Sequence, residues 1–164
     1  MKKIFGLLML MCSSVAWGDD HVTQSIGFVA GSTHGIGLTY ARQNSESGIG
    51  WQVSGFPFWT KDERHLFGGL SIFKTLHQGR KGRAFISFGV AVNYHRSVVS
   101  RDWYAEGEGV DESTNFVFGP GIGLERIYAD NFTISLELPA AIIISNEDGF
   151  SILPIPNFAL SYRW

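Results

Sequence analysis

Apolar residues recur at every second position of this chain, in one long segment after another. Ile86, Phe88, Val90, Val92 and Tyr94 alternate with Phe85, Ser87, Gly89, Ala91, Asn93 and His95. Phe116, Phe118, Pro120, Ile122 and Leu124 alternate with Val117, Gly119, Gly121, Gly123 and Glu125. Phe132, Ile134, Leu136, Leu138, Ala140, Ile142 and Ile144 form a third series, and Phe158, Leu160, Tyr162 and Trp164 end a fourth. A period of two belongs to a β-strand, whose successive side chains leave opposite faces of a sheet. The segments are long enough to cross a bilayer as tilted strands, for which about ten residues suffice. No helix competes with this reading. The longest apolar run of the mature part, Leu138 to Ile144, contains Pro139 and falls far short of the roughly 20 residues of a spanning helix.

The strand map predicted from this period is 22–30, 35–43, 48–59, 66–78, 83–98, 115–128, 132–145 and 151–164. Gly31 to His34 is a poor turn, so that 22–43 reads either as two strands or as one bent strand. Parity favours two, because single-chain bacterial barrels have even strand numbers. The expected fold class is therefore all-β: an eight-stranded antiparallel up-and-down transmembrane β-barrel. Alternate connections are short, at Asn44 to Ser47, Gly79 to Gly82 and Ala129 to Asn131, and are expected on the periplasmic side. The others, Thr60 to His65, Val99 to Thr114 and Asn146 to Phe150, are expected outside.

Which face of the alternation meets lipid follows from size. Eight strands enclose an interior just wide enough to be filled by side chains. The face rich in Gly, Ser, Ala, Thr and Asn fits inside, and the Phe, Ile, Leu and Val face fits outside. Glu125, Glu137 and Arg163 then point inward and are expected to share a buried polar network, since a lone charge there is costly. Arg96 and Arg126 face out near strand ends, where they can snorkel. In strand 66–78 either Phe73 or Lys74 must face the unexpected way. Trp51, Trp59, Trp103, Tyr128 and Trp164 could supply interfacial girdles, while Trp103 and Tyr104 could instead be binding aromatics in the outer loop.

Residues 1–18 have the pattern of a signal peptide: Lys2 and Lys3, the apolar stretch Ile4 to Met11, and small Ala16 and Gly18 before a cut at Asp19. Residues 19–164 are then the barrel domain. A lipoprotein signal at Cys12 is disfavoured by bulky Met11. Losing Lys2 and Lys3 leaves 11 basic against 15 acidic residues, a formal charge of −4 instead of −2, and no basic stripe for nucleic acid. The mature part has no cysteine, so thiol and disulfide chemistry drop out.

The chain ends Phe158-Ala159-Leu160-Ser161-Tyr162-Arg163-Trp164. A terminal aromatic with apolar residues at alternate positions before it, here Phe158, Leu160, Tyr162 and Trp164, resembles the closing-strand signal of bacterial outer-membrane proteins. The whole mature chain resembles the small eight-stranded barrels of the OmpA/OmpX type. That resemblance implies an outer-membrane location, lipid as the surrounding partner and the barrel-assembly machinery as reader of the last strand; the sequence does not fix the oligomeric state, and a monomer is expected.

Residues with chemical potential are few. His95-Arg96-Ser97 precedes Glu106 and Glu108, and a His, a Ser and a carboxylate can form a hydrolytic triad. The His-x-Ser spacing resembles that of outer-membrane lipid A deacylases, but Val98 stands where those enzymes have Asn, and parity turns His95 and Ser97 inward. His34, His65 and His77 lack metal-ligand spacing, and Gly119 to Gly123 has no following helix to cradle a phosphate, so neither metal nor cofactor is expected. Those glycines instead leave room for bulky interior neighbours. The expected role is structural or surface-interacting, without an open pore. A lipid A-modifying hydrolase is the alternative.

Overall fold

The computed structural model describes residues 22–60, 63–100, 108–129, 131–145 and 149–164, with backbone alone at 98–100 and 108–110. Residues 1–18, where a signal peptide is expected, and Trp103, Tyr104 and Glu106 lie outside the described residues. The strands are β1 (Val22–Gly31), β2 (Gly35–Asn44), β3 (Ile49–Trp59), β4 (Glu63–Gly79), β5 (Gly82–Ser100), β6 (Glu108–Tyr128), β7 (Phe132–Pro139), β8 (Ala141–Ser145), β9 (Gly149–Leu153) and β10 (Asn157–Arg163).

Every neighbour is antiparallel. β1 through β6 pair in chain order, β6 pairs with both β7 and β8, β7 pairs with β10, and β10 returns to β1. The sheet thus closes into a barrel of eight staves. β7 and β8 are one stave, interrupted only at Ala140, which still donates its backbone N–H to Pro120 at 2.8 Å. β9 and β10 are another, interrupted by Pro154-Ile155-Pro156 without a change of register: Glu137 faces Asn157 and Ala141 faces Leu153. Proline explains both interruptions, because it has no N–H for the ladder.

Residues 22–43 form two strands, with their turn at Ser32–His34. Local chemistry sets the turns at the other end. The Asn44 side-chain oxygen accepts from the backbone N–H of Glu46 (3.0 Å) and Ser47 (2.9 Å), and Gly48 takes a left-handed φ of 68°. This is an Asx turn, a shape Asn makes without tertiary help.

The outer hairpins differ from expectation. β4 begins at Glu63, and β5 and β6 extend to Ser100 and from Glu108, so much of the expected loop 99–114 is paired strand. The pairs Ser97–Asp111, Arg96–Glu112 and His95–Ser113 continue the ladder. A ladder needs only backbone groups, so it can continue into water after the apolar pattern stops. In β4, Phe73 takes the inward position and is buried, and Lys74 faces out between Ile72 and Leu76.

The outward face is apolar around the whole circumference: Ile26, Leu38, Leu70, Phe88, Leu124, Leu138 and Phe158 are all strongly exposed, each on a different stave save β3, which contributes Trp51 and Ile49. Along β5 the outward band runs from Ala84 to Tyr94, with Arg96 beyond it. Ten residue-to-residue steps of about 3.3 Å each, tilted about 40°, give a band of about 25 Å, the height of the lipid-facing belt of outer-membrane barrels.

Candidate functional site

The lumen is filled by the chain's own turn. Ser32, Thr33 and His34 do not project beyond the rim but fold into the barrel, where Thr33 is 0% and His34 7% exposed. Inward glycines make room for them. A Cβ at Gly69 would overlap the His34 carbonyl, and one at Gly89 would press on the Thr33 carbonyl at 2.7 Å. Gly35, with φ of 71°, turns the chain back into β2. The Ser54 hydroxyl donates to the His34 carbonyl, tying the turn to β3.

At the tip of this plug, His34 Nε2 lies 2.8 Å from Glu137 Oε2. The other carboxylate oxygen accepts from Ser87 Oγ (2.8 Å) and Asn157 Nδ2 (3.2 Å). Asn157 also donates to Thr33 Oγ1 at 2.7 Å, and its oxygen accepts from the Thr33 backbone N–H at 3.4 Å. Glu137 is 3% exposed and Asn157 2%. A carboxylate this deep is tolerable only with its lone pairs satisfied, and four elements (the turn, β5, β7 and β10) converge to do so.

A second cluster lies nearer the short-turn end. Arg83 Nη2 is 2.8 Å from Glu125 Oε2, and Arg163 Nη1 is 3.6 Å from Glu125 Oε1. Arg83 also donates to the Gln43 side chain, whose amide donates to Thr75 Oγ1 at 2.9 Å. The Arg83 guanidinium sits over the Phe73 ring, 4.8 Å from its centroid. Between the two clusters the lumen narrows to a cavity of about 30 Å³, lined among others by His34, Gln52, Arg83 and Glu137, with another of about 20 Å³ below it. Each is about the size of one water.

Glu125, Glu137 and Arg163 are thus all inward, but they do not form one network. Glu125 joins Arg163, whereas Glu137 belongs with His34. Sequence reasoning missed His34, Ser87, Asn157 and Arg83. The available signal was glycine at inward positions 69 and 89, which marks a wall approached closely by something else. Farther along, Gly123 faces the Phe85 ring, and Gly121 faces Glu137 and Ser87.

His95 and Ser97 face the lumen, not lipid. His95 stacks on His65, with ring centroids 4.2 Å apart and planes 9° apart, and no hydrogen bond joins His95 to Ser97 among the described residues. Glu63 Oε2 lies 3.7 Å from His65 Nε2. Glu106 is outside the described residues, and Glu108 is placed by its backbone alone. No group of three or more metal-ligating side chains occurs among the described residues. Phe158, Leu160, Tyr162 and Trp164 lie on the outward side of β10, which seals the barrel against β1, and Trp164 exchanges backbone hydrogen bonds with Gln24 (3.0 and 2.9 Å).

No family model matches the chain, and no curated protein matches its sequence. Among solved structures it is similar to the N-terminal β-barrel domain of Pseudomonas aeruginosa OprF, with 13% identity and a TM-score of 0.51 over 87% of this chain and 96% of that one. It is also similar to Ail, the attachment invasion locus protein of Yersinia pestis, with 12% identity and a TM-score of 0.49 over 87% of this chain and 97% of that one. The OprF likeness shows the fold: a closed eight-stranded antiparallel barrel of the small outer-membrane type.

Proposed function

We propose that the chain is an integral outer-membrane barrel whose lumen is plugged, so that it serves as a structural wall element presenting its long hairpins at the surface and not as a channel. One observation carries this reading: an outward apolar face present on every stave, about 25 Å tall along β5, encircles a lumen packed with ion pairs and buried hydrogen bonds. A soluble barrel would have the reverse arrangement. The OprF likeness supports the same location, since that barrel is an outer-membrane one. We assign Phe158, Leu160, Tyr162 and Trp164 to recognition by the assembly machinery, and lipid to the outer wall. A hydrolase working on lipid A would need His95 and Ser97 on the lipid face, and they are on the other.

The test is fractionation followed by conductance. The full chain should sediment with outer membranes, resist carbonate extraction and show heat-modifiable gel mobility. Reconstituted in planar bilayers it should pass no steady current. Free solubility after osmotic shock would refute the membrane reading, and stable conductance would refute the plug.

A further inference from the structure

The outward wall of β4, β5 and β6 carries a feature that barrel closure does not need. Gly68 faces lipid, in a row with outward Gly55 on β3, Val92 on β5 and Phe116 on β6. With no side chain at Gly68, a groove opens that Leu70, Val90, Val92, Phe116 and Phe118 border, with a volume of about 480 Å³. Ligand clefts usually span about 300–1,000 Å³. Nothing inside the protein requires the glycine: a Cβ there would meet only the Ser54 carbonyl oxygen, at 4.0 Å. This separates Gly68 from its neighbour Gly69, which the plug occupies.

Two outward positions above Gly68 on the same strand stands Arg64, and Arg96 is its direct cross-strand partner. Like charges placed directly opposite repel each other. Neither arginine makes an ion pair among the described residues, and Arg96 Nε is buried without a hydrogen-bond partner. The nearest carboxylate by register is Glu112, opposite Arg96. Four residues of strand put the arginines about 13 Å above the groove, at the edge of the apolar band.

We propose that this wall holds one lipid of the leaflet at the hairpin end, with an acyl chain in the Gly68 groove and its phosphate bridging Arg64 and Arg96. The lipid's phosphate carries no attached cation, because a covering ammonium would compete with the arginines. A phosphate between them converts the repulsion into charge-assisted, bidentate contacts, for which guanidinium geometry is well matched. The groove faces the band where acyl chains already lie, so the chain pays no transfer from water. The inference rests on the membrane reading above.

The experiment is native mass spectrometry of the full chain in detergent, titrated with phosphatidic acid or with phosphatidylcholine bearing the same acyl chains. The wild type should bind one phosphatidic acid about tenfold more tightly than phosphatidylcholine, the scale of one or two charge-assisted hydrogen bonds. The double variant Arg64→Gln plus Arg96→Gln should lose that preference. Gly68→Phe should weaken both lipids while leaving the barrel folded by gel mobility. Arg80→Gln plus Arg126→Gln, at the opposite rim, should change nothing. Equal binding of the two lipids by a carbonate-resistant wild type overturns the site alone, as does a preference that survives in the Arg64/Arg96 variant or disappears in the Arg80/Arg126 one. A chain that is freely soluble and binds neither lipid overturns the membrane reading with it.

Discussion

Replacing Glu137 by Leu should destabilise the barrel by about 3–5 kcal/mol, because a buried pair loses one partner while the other stays buried. The lost contacts are specific: His34 Nε2 at 2.8 Å, Ser87 Oγ at 2.8 Å and Asn157 Nδ2 at 3.2 Å. His34→Leu should cost about as much, since it leaves Glu137 Oε2 without its 2.8 Å imidazole partner. The double variant removes both halves of the pair and leaves mainly the Ser87 hydroxyl unsatisfied; Asn157 keeps Thr33 Oγ1 at 2.7 Å. It should therefore cost far less than the two single losses together, with a coupling energy of about 2 kcal/mol or more. Glu137→Leu combined with Arg163→Leu should be additive to within about 0.5 kcal/mol, because the two residues belong to different clusters. The assay is guanidinium unfolding of the barrel reconstituted in lipid vesicles, followed by tryptophan fluorescence and checked by heat-modifiable mobility. Additivity between His34 and Glu137 would refute the plug as a bonded unit. Strong coupling between Glu137 and Arg163 would refute the two-cluster lumen.

Gly69→Val should destabilise by about 1–3 kcal/mol or expel the Ser32–His34 turn, since its side chain would enter the backbone of that turn; a rise in proteolytic cleavage near His34 would report expulsion, and wild-type unfolding would argue against the close approach. Gly68→Ala, one residue away, should leave stability within about 0.5 kcal/mol on the same unfolding curve. Deleting Trp164 removes both Trp164–Gln24 backbone hydrogen bonds at the seam and the terminal aromatic, so the variant should be degraded or remain periplasmic; accumulation of heat-modifiable barrel in the outer membrane would contradict this.

The alternation of Ile86 to Tyr94 or Phe116 to Leu124 made the barrel, its facing and its strand number legible, because lipid imposes the same demand on every outward position. Parity placed Glu125, Glu137, Arg163, His95 and Ser97 inward for the same reason. Partners inside the lumen were not legible. Glu137 meets His34 from 103 residues away only because the β1–β2 turn folds inward, and no local pattern encodes a turn's direction. The lengths of β5 and β6 were missed for a different reason. Above the bilayer the hairpin is held by backbone pairing alone, which leaves no trace in hydropathy. Lys74 illustrates a third limit: its long apolar stem can lie along the lipid face, so its charge did not decide its side.

The barrel wall is far from uniform in height, and the bilayer has to accommodate that. β5 has 19 residues, about 63 Å of strand, whereas β10, the part of the seam stave that pairs with β1, has 7, about 23 Å. Tilted by about 40°, the closing β1–β10 ladder rises only about 18 Å, some 7 Å less than a typical apolar belt, although β9 carries the outward apolar face on above it. Above it, β9 pairs only with β8 among the described residues, and its open edge cannot lie in hydrocarbon without loss. Lipids beside β1 and β10 must therefore thin, or the whole barrel must lean to submerge its tall side less and its short side more. Both responses cost fractions of a kcal/mol per ångström of mismatch, and both are relieved in a thinner bilayer. The short seam thus favours a thin membrane over a thick one, independently of any receptor that reads the closing strand.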